Sequence, residues 1–161
     1  MTKTKIAIAG VLGRMGQNII ESAQLNNGVE IVGVFDKSPI SEDHLVSLKL
    51  KSDIAITGDD AFDRADVVID FTSPSALFMF TESAIAHKAA LVVGTTGLEQ
   101  KHFNLLQQTS KATKIFYAPN MSLGVNSFFQ VARDTAAKLK DYDIEIIESH
   151  HKFKKDAPSG T

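Results

Sequence analysis

The amino-acid sequence predicts an α/β fold, a doubly wound parallel sheet followed by the start of a second α+β domain. Short apolar runs alternate along the chain with segments of helical length, which is typical of a parallel sheet covered by helices. The runs are almost continuously apolar, as strands buried on both faces should be. Near residue 120 a loop leads into a long helical segment and then into an alternating run. We therefore predict a first domain at residues 1–122 and the incomplete start of a second at 123–161.

Five apolar runs are predicted to form the strands of the first domain. They are Ile6–Ala9, Ile31–Phe35, Val67–Phe71, Leu91–Val93 and Ile115–Tyr117. The alternating run at 143–149 is predicted to be a strand exposed on one side.

Helices are predicted between these runs. The first has apolar residues at helical spacing, namely Met15, Ile19, Ile20 and Ala23. Gly28 is predicted to end it. Ser73 and Pro74 are predicted to be the N-cap and first residue of another helix. Further helices are expected near 99–110 and 124–139, whereas the polar stretch 37–66, with its single short apolar run at 54–56, receives no predicted structure.

Composition excludes several classes of function. A formal net charge of -2 argues against a nucleic-acid partner, which usually requires a basic surplus. The absence of cysteine excludes disulfides, thiolate metal sites and a cysteine nucleophile. No segment approaches the roughly 18 unbroken apolar residues of a membrane span, and the N-terminus does not resemble a secretion signal. We therefore expect a soluble, cytoplasmic protein that binds neither nucleic acid nor membrane.

A glycine-rich loop follows the first predicted strand and opens the first predicted helix. Gly10, Gly13 and Gly16 allow phosphate groups to approach backbone N–H groups at a helix N-terminus, as in Rossmann-type dinucleotide-binding domains. The spacing is G-x-x-G-x-x-G, and Leu12 stands where the usual G-x-G-x-x-G has its second glycine. Considered alone, these residues could be no more than the turn glycines of a βα loop.

Asp36, at the end of the second predicted strand, supports the nucleotide-binding interpretation. A carboxylate there can accept hydrogen bonds from the adenosine ribose. The neighbouring Lys37 could offset repulsion of a 2′-phosphate, so the pair is compatible with both NADH and NADPH. Without the glycine loop, a solvated turn would explain Asp36 and Lys37 equally well.

Small and hydroxyl-bearing residues follow the other three predicted strands. The segments are Phe71-Thr72-Ser73, Gly94-Thr95-Thr96-Gly97 and Ala118-Pro119-Asn120-Met121. Helix capping or a plain turn explains each segment taken alone. Because the carboxyl ends of parallel strands meet at one sheet edge, the three together favour a binding site.

The last residues, 148–161, concentrate two histidines, three lysines and a Ser-Gly-Thr turn. His150 or His151 could supply a proton near neutral pH, Lys154 could bind a carboxylate or polarise a C=N group, and the turn could bind an anion. A basic surface loop is the alternative. No metal site is predicted, because adjacent histidines in a strand point to opposite faces.

These motifs together resemble the 4-hydroxy-tetrahydrodipicolinate reductase (dihydrodipicolinate reductase) family. The resemblance rests on Ile8-Ala9-Gly10 with Gly13-Arg14-Met15-Gly16, Asp70-Phe71-Thr72, Gly94-Thr95-Thr96-Gly97, the segment 120–126, and above all the E-x-H-H-x-x-K-x-D-A-P-S-G-T pattern of 148–161. It implies NADH- or NADPH-dependent reduction of 4-hydroxy-tetrahydrodipicolinate, a cyclic dicarboxylate, to tetrahydrodipicolinate in lysine and diaminopimelate biosynthesis.

The resemblance also implies roles for individual residues. His150 matches the proton donor and Lys154 its catalytic companion, while His151, Gly160 and Thr161 match substrate contacts. Residues that match cofactor contacts are Gly10, Gly13, Arg14, Met15, Gly16, Asp36, Phe71, Gly94, Thr96, Ala118 and Met121. Many members carry Phe at the position of Met121, where methionine should still provide an apolar wall.

The resemblance further implies a longer, homotetrameric protein, so we expect these 161 residues to be a fragment with little activity of its own. Two alternatives remain open from the residues. One is a non-catalytic Rossmann domain that senses NAD(P), and the other is a different amino-acid-pathway dehydrogenase on the same fold.

Overall fold

The structure is a computed structural model that describes residues 2–147, 149 and 152. It forms two compact units, Met1–Tyr117 and Ala118–Thr161. In the part of the chain that is described, no helix is both long enough and apolar enough to span a bilayer.

The first unit contains a five-stranded, fully parallel sheet with the spatial order β2-β1-β3-β4-β5. The strands are β1 (Thr4–Ala9), β2 (Val29–Phe35), β3 (Val67–Asp70), β4 (Ala90–Val93) and β5 (Ile115–Tyr117). Each coincides with a predicted run to within two residues at either end. The predicted α/β class and doubly wound sheet are therefore confirmed.

Residues 37–66, for which the sequence predicts no structure, contribute a sixth member to the sheet, next to the outer edge of β2. Ala55 forms an isolated parallel bridge to Gly33, in which Val34 N–H donates to the Ala55 carbonyl at 2.8 Å and Ala55 N–H donates to the Val32 carbonyl at 2.9 Å. With this bridge included, the sheet has three members on each side of the β1–β3 junction, which is the strand order of a complete dinucleotide-binding domain.

Among the described residues, five α-helices accompany this sheet and a sixth lies in the second unit. They are α1 (Arg14–Gln24), α2 (Glu42–Ser47), α3 (Gly58–Arg64), α4 (Leu77–His87), α5 (Gln100–Thr109) and α6 (Leu123–Lys138). The prediction that Gly28 ends the first helix is wrong, because α1 stops at Gln24 with Leu25 as its right-handed C-cap. Ser73 and Pro74 begin a 3₁₀ turn ahead of α4, and the Ser73 side chain makes no capping bond.

The central strand β1 has a buried apolar core on each of its two faces. Ala7 and Ala9 belong to one core cluster, whereas Ile6 and Ile8 belong to the other. Alternate residues of a strand point to opposite faces, so small side chains meet helices on one side and branched ones on the other. This burial on both faces explains why the runs are continuously apolar.

Residues 143–147, predicted to be a strand, have no strand structure. A strand requires a hydrogen-bonded neighbour, and the described residues provide none for this segment. Its apolar side chains are accordingly exposed, Ile146 by 85% and Ile147 by 90%.

Candidate functional site

A cavity of about 490 Å³ opens at the carboxyl ends of β1, β2 and β3. It lies at the β1–β3 junction, where the chain reverses its direction of winding and where open α/β sheets bind their ligands. All lining residues belong to the first unit: Gly10, Leu12, Gly13, Phe35, Asp36, Lys37, Ser38, Phe71, Thr72, Ser73, Ala76, Met79 and Phe80.

The glycine loop forms one wall of this cavity, and two of its glycines are required by geometry. Gly10 has a φ of +76°, and a Cβ there would lie 2.9 Å from Cγ2 of Thr72. A Cβ on Gly16 would overlap the Gly10 carbonyl and lie 2.6 Å from Cα of Val11. Gly13 is the N-cap of α1. The N-terminus of an eleven-residue helix, whose first N–H groups have no intrahelical partner, therefore stands at the cavity wall.

Asp36 connects the end of β2 to the glycine loop. Its Oδ2 accepts a hydrogen bond from Leu12 N–H at 3.1 Å, and its Oδ1 accepts one from Ser38 N–H at 3.4 Å. The first bond uses only the backbone of Leu12. The leucine side chain at this position is therefore not required for the bond.

Apolar side chains form another part of the cavity lining, and sequence reasoning did not identify this apolar surface. The Phe35 and Phe80 rings meet edge to face at 5.6 Å, and Ala76 and Met79 complete the surface. The signal available in the sequence was the i, i+3, i+4 spacing of Ala76, Met79 and Phe80 in the helical segment that follows β3, which places them on one helical face.

Asp70, at the end of β3, is fully buried beside the cavity. Its Oδ1 accepts hydrogen bonds from Thr72 N–H at 2.9 Å and from the Thr72 hydroxyl at 2.6 Å. Its Oδ2 has no hydrogen-bond partner among the described residues. Burial raises the pKa of this carboxyl above its ordinary value of 3.8, and hydrogen bonds from Thr72 and Thr95 offset part of the rise.

The raised pKa of Asp70 gives a testable pH dependence of stability. In the folded chain the carboxyl keeps its proton to higher pH than in the unfolded chain, so the free energy of unfolding should fall as pH rises from about 4 through the raised pKa. Asp70→Asn cannot titrate. Urea denaturation across this range should therefore show the variant gaining stability relative to the wild type as pH rises, and a difference that stays constant with pH would contradict the prediction.

The remaining sequence-predicted cofactor residues of the first unit lie outside the cavity lining. Arg14 and Met15 are exposed in the first turn of α1, and Thr96 is exposed after β4. Gly94 is buried, and a Cβ there would overlap the Phe71 ring. Gly94 therefore packs against Phe71, which lines the cavity.

Ala118 and Met121 belong to the second unit, where asparagine side chains organise the loop that leads into α6. Asn120 Oδ1 accepts from Ser122 N–H at 2.9 Å. The Asn126 amide donates to the Asn120 carbonyl at 3.1 Å and to the Ser122 carbonyl at 2.8 Å. Ser122 is the N-cap of α6, and its hydroxyl accepts from Val125 N–H. These bonds account for the two asparagines of the 120–126 motif.

The predicted catalytic and substrate-binding residues His150, His151, Lys154, Gly160 and Thr161 lie outside the described residues. Within the described residues, no cluster of three or more His, Asp or Glu side chains is arranged to hold a metal ion.

Comparison with known proteins gives a consistent result along the chain. Residues 4–121 match the family model described as dihydrodipicolinate reductase, N-terminus, and residues 124–161 match its C-terminus. The chain is 40% identical over 161 residues to 4-hydroxy-tetrahydrodipicolinate reductase of Sulfurimonas denitrificans, covering 98% of this chain and 60% of the relative. It is 38% identical over 170 residues to the enzyme of that name from Colwellia psychrerythraea, covering 99% and 62%.

A solved structure is also similar. Dipicolinate-bound dihydrodipicolinate reductase from Paenisporosarcina superposes with a TM-score of 0.73 at 27% identity, covering 99% of this chain and 62% of that one. Myo-inositol 2-dehydrogenase from Lactobacillus plantarum shares the fold alone, with a TM-score of 0.62 at 14% identity over 84% of this chain and 42% of that one. The chain thus spans about 60% of the length of the curated relatives that it matches.

Proposed function

Because the chain belongs to the dihydrodipicolinate reductase family, we propose that it forms the cofactor-binding part of an enzyme that reduces 4-hydroxy-tetrahydrodipicolinate to tetrahydrodipicolinate. The observation that carries this proposal is the cavity at the β1–β3 junction, which combines the N-terminus of α1 with the Asp36 carboxylate. The reaction belongs to lysine and diaminopimelate biosynthesis. Its substrate is a small cyclic dicarboxylate.

The residues around the cavity fit a nicotinamide cofactor. The atoms around Gly10 and Gly16 leave no room for a Cβ, and the tight turn that results brings the N-terminus of α1 to the cavity wall, where its N–H groups can bind phosphates. The Asp36 carboxylate can accept hydrogen bonds from ribose hydroxyls, and the apolar surface of Phe35, Ala76, Met79 and Phe80 suits a flat base. When bound, the reduced cofactor supplies a hydride.

Both NADH and NADPH should be accepted. Asp36 favours a ribose with free hydroxyls, whereas the exposed Lys37 and Ser38 at the cavity wall can contact a 2′-phosphate. One Asp36 oxygen already accepts the Leu12 N–H. The neighbouring Lys37 ammonium group can offset part of the repulsion between this carboxylate and a 2′-phosphate.

The residues that we propose to bind and protonate the substrate are taken from the family pattern. His150 would donate the proton that completes reduction, with Lys154 as its companion. Gly160 and Thr161 would bind a substrate carboxylate, and His151 would contact the substrate. In this proposal Gly94, Thr96, Ala118 and Met121 contact the cofactor, as do Arg14 and Met15. The whole protein would be a homotetramer.

Cofactor titration tests the proposal directly. Purified protein, titrated in parallel with NADH and NADPH and followed by calorimetry, should bind both. Lys37→Ala should weaken NADPH binding by about threefold to tenfold, because a charge-assisted contact to phosphate is lost, and should change NADH binding little. Lys51→Ala, an exposed lysine outside the cavity lining, is the matched control and should affect neither. Failure to bind either cofactor would refute the proposed function.

The reaction itself requires the whole protein. There, His150→Gln should strongly lower turnover of the cyclic imine while leaving cofactor affinity intact. Unchanged turnover would mean that another group supplies the proton.

A further inference from the structure

Asp70 is a buried acid at the edge of the cavity, and the proposed cofactor contacts make no use of it. Both its backbone and its side chain connect neighbouring segments. Its carbonyl accepts from Gly94 N–H at 2.8 Å, which extends the β3–β4 pairing by one bond. Its carboxyl instead accepts from Thr72, two residues further along the chain.

The bonds of Thr72 join the loop after β3 to the loop after β4. Thr72 N–H is shared between Asp70 Oδ1 at 2.9 Å and the Thr95 hydroxyl at 3.0 Å. Thr95 is itself buried, with 3% exposure. A short network of Asp70, Thr72 and Thr95 therefore fixes where both loops leave the sheet.

The same network determines what these loops present to the glycine loop. The Thr72 hydroxyl donates to Asp70, so the rotamer of Thr72 is fixed and its Cγ2 lies 2.9 Å from the Cβ position of Gly10. Phe71, the residue between the two partners, places its ring against Gly94, with Cδ1 2.7 Å from the Cβ position there. Gly10, Phe71 and Thr72 all line the cavity.

We propose that Asp70 is a positioning residue of the cofactor site, whose carboxyl holds Thr72 and Phe71 so that the loops after β1 and β3 form one wall of the cavity, with the loop after β4 bonded behind them. The inference rests on the proposed function, because it concerns the affinity of that same cavity for NADH and NADPH. Asp70 does not contact the cofactor in this role. It acts through Thr72.

The test compares variants that keep or remove the acceptor atom. Asp70→Asn retains an Oδ1 that can accept both Thr72 bonds, so its affinity for NADH should stay within about threefold of the wild type. Asp70→Ala removes the acceptor, so Thr72 and Phe71 are no longer held in place, and NADH affinity should fall by about tenfold. Thermal unfolding of each variant is measured alongside the titration.

Variants of Thr72 keep the inference testable if Asp70→Ala fails to fold. Thr72→Val removes the hydroxyl and should weaken cofactor binding, whereas Thr72→Ser keeps the hydroxyl and should retain more affinity. The control is Thr109→Val, which removes a buried hydroxyl bonded at 2.9 Å to the Leu105 carbonyl in α5, outside the cavity lining. It should lower stability without changing NADH affinity.

The outcomes separate this inference from the proposed function. Wild-type protein that binds neither NADH nor NADPH overturns both. Wild-type binding together with unchanged affinity in folded Asp70→Ala or Thr72→Val overturns the inference alone, as does a loss of affinity in Thr109→Val equal to that in Thr72→Val.

Discussion

Replacing Gly16 with alanine should destabilise the first unit by about 3 kcal/mol, at the upper end of the usual cost of overpacking, and should abolish measurable cofactor binding. The new Cβ would overlap the Gly10 carbonyl and approach Cα of Val11 to 2.6 Å. Both are backbone atoms, which cannot rotate away as a side chain can. Relief therefore requires α1 to move away from the loop, and its N-terminal N–H groups move with it.

Gly33→Ala separates the loss of stability from the loss of binding. A Cβ on Gly33 would lie 2.7 Å from Cβ and 3.0 Å from Cα of Ala61 in α3, so overpacking is again expected. Gly33 lies outside the cavity lining. Urea denaturation with parallel NADH titration should show both variants destabilised and only Gly16→Ala deficient in binding. A destabilised Gly16→Ala protein with wild-type affinity would remove the glycine loop from the proposed site.

The sheet was predictable because each of its strands is marked in the sequence by a run of apolar residues. Burial on both faces requires continuous apolar runs, and the run Ile115–Tyr117 matches β5 residue for residue. The bridge at Ala55 was not predicted, although the short apolar run at 54–56 marks its place, because three apolar residues are too few to distinguish a strand from a buried loop. Similarly, glycine is the residue type that most often ends a helix, which is why Gly28 was expected to end α1. The helix ends earlier, with Leu25 in a right-handed conformation.

The candidate site was predictable where backbone conformation dictates residue type. Gly10 and Gly16 are glycines because no Cβ fits, and Asp36 is recognisable by its place after a strand. The sequence indicates Asp70 only as part of the Asp70-Phe71-Thr72 motif, because nothing local to a carboxyl at a strand end shows that tertiary structure buries it. The apolar wall around Met79 was missed for a related reason. Apolar residues after a strand normally indicate core packing.

Phe62→Ala should cost about 3–5 kcal/mol of unfolding free energy, the usual range for a buried phenylalanine. Phe62 is 1% exposed, and its ring centroid lies 5.9 Å from that of Phe35 and 6.0 Å from that of Phe80. Those two rings line the cavity, so Phe62 is the support behind its apolar wall. Truncation should let the wall relax inward and weaken cofactor binding as well.

Leu106→Ala is the comparison that distinguishes support of the cavity from general stability. Leu106 is 6% exposed in α5 and belongs to the same core cluster, but it lies outside the cavity lining. Its truncation should cost about 2–5 kcal/mol and leave NADH affinity unchanged at temperatures where the variant is folded. Phe62→Leu should retain most of the wall and cost less stability than Phe62→Ala, because more of the buried volume stays filled. If Phe62→Ala binds NADH as tightly as Leu106→Ala does, the aromatic cluster serves the core alone, and the apolar wall does not depend on the ring behind it.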